Sequence, residues 1–350
     1  MFHPADLRLS PEDDYALTAP LPQDPACVET FNIWLYDGDA NIGFNLHPRA
    51  TGGEMDSSVT IFLPDGRILR ANHGSPGRFS DKARPSSAYV KLHCQLPFQQ
   101  WSCAVENGPV FVTSDQEQAS RTVADMTPTA TVNLQATVRM AGPLWINGAL
   151  LPESRQTLQQ KVGRWFANSL TTGFTPLAYR YDQLIEAEGT IDFEGRTYAF
   201  KGVGLRGHVR GVRDTAGMVH HTWAEGYFPK TGRGFGVTMF TREGGGYEHT
   251  EGFIFENSRM YPARVLSLPH LDRDPAKTSL VFELACDELG LRRITGADAR
   301  AFWWQMQAWG SHAPIQYGWN PQAHRLMKQS IARYVWDDGD VGYGLNERSG

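Results

Sequence analysis

The chain has 350 residues, 41 % hydrophobic and 20 % charged, which excludes wholesale disorder and leaves material for about two domains. Lys and Arg number 33 against 38 Asp and Glu, a net charge of −5 with no basic stripe, so nucleic acid is not an expected partner. No apolar run approaches the roughly 20 residues of a spanning helix, so no membrane span is expected. Residues 1–26 form a Pro-rich, acidic arm without an apolar signal core, and the expected location is the cytoplasm. There Cys27, Cys94, Cys103 and Cys286 read as buried thiols.

From residue 27 the pattern is strand after strand. Segments 29–36 and 41–47 flank Asp37-Gly38, and 58–63 and 67–71 flank Asp65-Gly66. Segment 89–94 follows, then 101–106 and 110–113 on either side of Asn107-Gly108. Asn-Gly and Asp-Gly supply the positive φ angles of tight hairpins, so each pair is expected to turn the chain. Segment 129–140 alternates polar and apolar residues, as a strand with one wet face does. Strands at this spacing predict an antiparallel meander that closes into a barrel or packs as a sandwich.

Within 153–168, Leu158, Val162, Trp165 and Phe166 share one helical face and predict a linking helix, with a loop over 171–181. A second β unit is expected from 185–193, a turn at Glu194-Gly195, and 197–203. Strands at 221–227, 234–241, 251–256, 259–266 and 278–285 continue it. Segment 299–309 fits a helix with Phe302, Trp303 and Met306 inward, and Asn320-Pro321 fits a helix start. Segments 330–336 and 341–345 read as a hairpin around Asp338-Gly339. The expected layout is an arm over 1–26, a first β domain over 27–150, a linker over 151–184 and a second β domain over 185–350.

Chemistry-bearing residues concentrate in 202–227, GVGLRGHVRGVRDTAGMVHHTWAEGY. If it is extended, Arg206, His208 and Arg210 share one face, and His221, Trp223, Glu225 and Tyr227 share another. Two facing strands of one barrel would then line a cavity with an imidazole, a carboxylate and a phenol, a set suited to acid–base catalysis. Arg213 and Asp214 read equally as a surface ion pair. His220 and His221, with His249 and Glu251, offer donors for a metal, but nothing matches HExxH or CxxC spacing. The GxG run at 202–211 lacks a βαβ setting, and no GxSxG elbow occurs. Trp303, Trp304, Trp309, Tyr317, Trp319, Tyr334, Trp336 and Tyr343 crowd the C-terminal region. They read as core and barrel closure, compatible with the wall of an apolar pocket.

The stretch GTIDFEGRTYAFKGVGLRGHVRGVRD (189–214), with the closing YVWDDGDVGYGLNE (334–347) and the opening strands at 34–44, resembles proteins related to hydroxyneurosporene synthase, the carotenoid 1,2-hydratase. It is most similar to bacterial relatives whose glycine-rich strand leads into Arg-Asp-His-Ser-Trp-Gly-x-Arg-Asp. The resemblance implies two consecutive lipocalin-like β-barrels, all-β and mainly antiparallel, with an apolar cavity and neither metal nor organic cofactor. It implies a lyase, a hydratase or dehydratase, or a cyclase on a lipophilic isoprenoid- or polyketide-like molecule. The motif's Arg, His and Arg-Asp fall on Arg206, His208 and Arg213-Asp214. Its first Asp is Gly207 here, and Asp214, Glu225 and His221 are the available replacements.

On this reading His208, Asp214, Glu225 and His221 exchange the proton. Arg206 and Arg213 orient polar groups of the substrate, and Trp223, Tyr227 and Tyr343 line its cavity. A lipocalin-like carrier of a hydrophobic ligand is the alternative, and a metal-dependent hydrolase a weaker one. The sequence carries no sign of oligomeric state.

Overall fold

The computed structural model describes residues 11–21, 23, 27–147, 179–212, 218–244, 247–305 and 316–350. Nearly everything in them is antiparallel strand. The first sheet contains β1 (Cys27–Asp37), β2 (Ile42–Ala50), β3 (Glu54–Phe62), β4 (Arg67–Pro76), β5 (Val90–Leu96), β6 (Gln100–Ser114), β7 (Ala130–Met140), β8 (Trp145–Ile146), β9 (Tyr179–Phe193) and β10 (Arg196–Val212). β10 pairs with both β1 and β9, so the path β10-β1-β2-β3-β4-β6-β7-β9 returns on itself as a barrel, with β5 and β8 added on β6 and β9.

The second sheet contains β11 (Met218–Phe228), β12 (Arg233–Arg242), β13 (Tyr247–Glu256), β14 (Arg259–Ser267), β15 (Ser279–Cys286), β16 (Gly290–Gln305), β17 (Gln316–Tyr317), β18 (Leu326–Val335) and β19 (Val341–Ser349). β15 pairs with β14 and β16, which closes a second ring of eight strands and leaves β17 as an appendage of β16. Closure removes the exposed sheet edges that would otherwise invite strand addition. The all-β, two-barrel expectation is met.

Compact units follow the barrels: Met1–Ile61, Leu69–Val112 and Thr127–Asp214 form one, and Phe62–Ile68, Thr113–Met126 and Thr215–Gly350 the other. The sequence expectation begins the second β domain at residue 185, whereas the first compact unit runs on through β10 to Asp214. The physical reason is the pairing of β10 along β1, from Tyr36 opposite Val203 to Cys27 opposite Val212, which makes it the strand that closes the first barrel.

Several turn signals act as anticipated. Glu194-Gly195, at φ 51° and 74°, forms the hairpin between β9 and β10, and Gly66 and Gly339 take positive φ in their turns. Asn107-Gly108 does not make a hairpin. β6 runs through it as one strand, with the register against β7 slipping between Val105 and Gly108 and Asn107 at φ 48°. A bulge needs the same positive φ as a hairpin turn, so the dipeptide signals both.

The helix expected over 299–309 is a strand as far as Gln305, because Thr295–Gln305 pairs with β18. A bulge between Asp298 and Arg300 disturbs the two-residue period there and lets the segment imitate a helical face. Asn320 caps a turn, accepting from the Gln322 amide at 2.9 Å, and starts no helix. The loop expected to reach 181 gives way to β9 from Tyr179 onward, while the linking helix over 153–168 lies outside the described residues. All four cysteines are buried and free, since Cys94 stands opposite Trp101 and Cys103 opposite Leu92. Among the described residues no helix is long and apolar enough to cross a membrane.

Candidate active site

Cross-strand register builds a polar group inside the first barrel. Alternation on β10 puts Arg206, His208 and Arg210 on one face, and antiparallel pairing sets Phe31 of β1 and Tyr181 of β9 opposite His208, and Glu29 opposite Arg210. Phe31 stacks on His208 with ring centroids 4.0 Å apart, and Trp101 of β6 lies 4.0 Å from the Arg206 guanidinium. A 3-10 turn at Pro11–Asp14 delivers one more carboxylate to the same group.

Asp14 is fully buried and accepts from every side. The Phe98 amide (2.7 Å) and Trp101 Nε1 (2.9 Å) donate to Oδ2, while Tyr181 OH and Arg206 (2.7 Å) meet Oδ1. Glu29 takes Arg210 Nε at 2.9 Å, His208 Nε2 at 3.0 Å and the Leu17 amide. Burial alone would raise the Glu29 pKa, but Arg210 and His208 outweigh it and hold the carboxyl below its usual range. Burial pushes the His208 imidazole down to about 4 against the pull of Glu29, so it is neutral at neutral pH.

A carboxylate only accepts, so the His208 proton sits on Nε2, and Nδ1 faces Tyr181 OH at 3.2 Å. Burial also pushes the Tyr181 phenol well above its ordinary value, which keeps it protonated. Two carboxylates balance two guanidiniums around a neutral ring. The charges cancel, and the group reads as a satisfied scaffold that fixes β1, β9, β10 and the N-terminal turn.

The second constellation lies on the other barrel. His221, Trp223, Glu225 and Tyr227 alternate along β11, all buried, while Ala224 and Phe228 point into the apolar core with Phe235, Phe282, Tyr334 and Trp336. The register adds neighbours on the same face: Glu347 and Tyr343 from β19, Thr238 and Phe240 from β12, and His249 and Glu251 from β13. Trp223 Nε1 donates to Glu225 Oε1 at 2.8 Å. His221 Nδ1 stands 3.6 Å from Glu347 Oε1, and His249 Nε2 stands 3.6 Å from Glu251 Oε2. Phe240 stacks on His249 at 5.2 Å. Three carboxyl groups, two imidazoles and an indole thus share one buried face, where proton exchange between carboxyl and imidazole is short-range.

Of the residues singled out from sequence, His221, Trp223, Glu225, Tyr227 and Tyr343 come together here. Arg206 and His208 belong to the group in the first barrel, since β10 pairs with β1 and β9 whereas β11 pairs with β12 and β19. Arg213 and Asp214 lie outside the described residues. His220 is exposed and faces away from His221, with its ring 6.0 Å from His270, so the two histidines cannot share one metal. No group of three His, Cys, Asp or Glu side chains suited to a metal occurs among the described residues.

Gly207 has a structural counterpart. A Cβ there would sit 2.5 Å from Asp182 Oδ1, the carboxylate of the residue opposite it on β9. Asp182 is buried, with Arg180 Nε at 2.7 Å from its Oδ2. A buried carboxylate of the neighbouring strand thus lies beside position 207.

Sequence reasoning missed Asp14, Glu29, Tyr181, Asp182 and Glu347 as members of these groups, and singled out His249 and Glu251 only as metal donors. Only the two-residue alternation of β1, β9, β13 and β19 could have pointed to those on strands. The family model described as "Domain of unknown function (DUF7064)" matches residues 10–349. No curated protein matches the sequence.

Solved structures with this fold include an AttH-like protein from Nitrosomonas europaea, with TM-score 0.57 and 10% identity, over 95% of this chain and 97% of that one. Kievitone hydratase from Nectria haematococca aligns with TM-score 0.51 and 8% identity, over 95% and 92%. CghA aligns with TM-score 0.53 and 10% identity, over 93% and 88%. At these identities the likeness is one of fold.

Proposed function

This chain belongs to the DUF7064 family, and from that premise we propose that it is a cofactor-independent lyase or isomerase. It would hydrate, dehydrate or cyclise a lipophilic small molecule of isoprenoid or polyketide type. The observation that carries the reading is the buried face of β11, β12, β13 and β19, where Glu225, Glu251 and Glu347 lie among His221, His249 and Trp223. Names among proteins of the same fold support the class: one is a kievitone hydratase, and CghA has been solved with Sch210972.

In the hydration direction a carboxylic acid, assigned to Glu225, gives its proton to an alkene carbon. The adjacent carbon becomes electron-deficient, and the Trp223 ring offers its negative face to that charge. A water oxygen adds there while a neighbouring imidazole, His221, accepts one of its protons, and the proton returns to Glu225. Dehydration is the reverse. In cyclisation a second alkene of the same molecule attacks in place of water, and the cation that results loses a proton to His221, which returns it to Glu225. A dry, aromatic setting strengthens each of these electrostatic contributions. His208 belongs in this proposal to the scaffold of the first barrel, a narrower role than the motif suggests.

The test is to incubate the protein with lipid extracts of its own host and follow products by mass spectrometry in ordinary and 18O-labelled water. Products heavier or lighter by one water, or isomers of equal mass, should form and should vanish with Glu225→Gln and with His221→Ala. Unaltered turnover in both variants would sink the assignment. A lipid that co-purifies and is recovered unchanged would mark a carrier instead.

A further inference from the structure

The polar end of the second barrel's interior holds a charge imbalance that the first barrel does not have. Asp298 of β16 is met at Oδ2 by Lys328 Nζ of β18 at 2.6 Å and by an Arg348 guanidinium nitrogen of β19 at 2.5 Å. Its Oδ1 accepts from Ser330 Oγ at 2.7 Å and Asn346 Nδ2 at 2.8 Å. Ser330 and Asn346 are fully buried, and Lys328 and Arg348 are each 2 % exposed. Among the described residues this cluster therefore encloses two cations and one anion; Asp272, in the neighbouring loop, is exposed to solvent. Burial lowers the Lys328 pKa against the pull of Asp298, as expected of a cation without full compensation.

Two polar atoms in the cluster are unmatched. Arg348 Nε, a donor, and Asn346 Oδ1, an acceptor, are buried without hydrogen-bond partners among the described residues. They sit two residues apart on the same face of β19. The remaining donors of the two cations settle on long bonds to main-chain carbonyls of the covering loop. These run from Arg348 to His270 at 3.3 Å and from Lys328 to Lys277 at 3.4 Å. The Trp303 ring, 5.1 Å from Lys328 Nζ, closes the side of the cluster. Buried charge is normally balanced and buried polar atoms normally matched, and here a net positive charge shared over one carboxylate coincides with an unmatched donor and an unmatched acceptor.

We propose that this end of the second barrel is a binding subsite for a small oxyanion that also carries a hydroxyl, a hydroxycarboxylate or hydrogen phosphate. Its oxygens accept from Arg348 Nε and Lys328 Nζ, its hydroxyl donates to Asn346 Oδ1, and its negative charge offsets the cluster's net positive charge. The site lies on the inward face of β18 and β19, opposite the face bearing Glu347, and does not depend on the catalytic reading.

Isothermal titration calorimetry of the whole chain at fixed ionic strength tests it with four probes: lactate, hydrogen phosphate, sulfate and lactamide. Lactate or hydrogen phosphate should bind one to one, at least tenfold tighter than sulfate, which lacks the hydroxyl at neutral pH. Lactamide, which lacks the charge, should give no heat. A response to lactate alone assigns a carboxylate, and one to phosphate alone assigns a phosphate. Lys328→Met leaves Asp298 and Arg348 as a balanced pair and should weaken binding at least tenfold. Arg348→Lys, which keeps the charge and removes the Nε donor, should do the same. Absence of anion binding by the parent chain, or equal binding of sulfate or lactamide, overturns the proposal. So does parental affinity in Lys328→Met, and if that variant does not fold, parental affinity in Arg348→Lys decides.

Discussion

Replacing Asp14 by Asn is the sharpest test of the interior of the first barrel. The substitution keeps shape and removes one charge. Oδ2 receives two N–H donors, from Phe98 and Trp101, and Oδ1 receives Tyr181 and Arg206. Whichever way the new amide turns, its NH2 faces donors and leaves at least one unsatisfied, at a cost of about 1–3 kcal/mol. Arg206, 1 % exposed, loses its carboxylate partner, and breaking one side of such a pair costs about 3–5 kcal/mol. The two costs overlap, and about 4 kcal/mol in total is expected.

At a urea slope of about 2 kcal/mol per M this lowers the unfolding midpoint of that unit by about 2 M, followed by tryptophan fluorescence. Glu12, one turn position away and joined to Lys82 in solvent, is the internal control, and Glu12→Gln should leave the midpoint where it was. An Asp14→Asn midpoint equal to that of Glu12→Gln would refute the claim that this carboxylate holds the barrel interior together.

Three further outcomes follow from single residues. The folded pKa of His208, about 4, is below the unfolded value near 6.5, so the unfolded chain binds the proton first in that window. Stability from this group is complete above about pH 6.5 and falls by about 3 kcal/mol as pH drops to 4; His208→Gln should show a correspondingly shallower decline in urea midpoint, and identical slopes would contradict it. Glu29, whose folded pKa is depressed, adds stability present above about pH 4.3 and lost as pH falls through its folded value, so the parent's decline should continue below pH 4. A methyl at Gly204 would overlap the Trp34 carbonyl oxygen across the β1–β10 pair, whereas Gly74 has open space around it. Gly204→Ala should cost about 3 kcal/mol by thermal or urea unfolding, and Gly74→Ala should cost little.

How far the sequence reaches is visible in particular elements. Alternation and turn dipeptides carried the strands of both barrels, because a strand's two faces and its positive-φ corners are local properties written in consecutive residues. The same signals were ambiguous where two local structures ask for the same residues. Asn107-Gly108 suits a bulge as well as a hairpin, and 299–305, with a bulge after Asp298, imitates a helical stripe. Alternation also placed His221, Trp223, Glu225 and Tyr227 on one face, and Arg206, His208 and Arg210 on another, and both groupings hold.

Which partners those faces meet was decided only by the tertiary structure. Closure of β10 onto β1 brings Glu29 to His208 across 179 positions of chain, and the 3-10 turn brings Asp14 to Tyr181 across 167. No local pattern encodes either meeting, because it depends on which strand edge remains unpaired when eight strands close. The same closure made β10 a strand of the first barrel and put His208 in that barrel's polar group. It set the Asp182 carboxylate of β9 against Gly207 of β10. Residue types and faces were fixed one strand at a time, and the chemistry of each cluster by the register between strands distant in sequence.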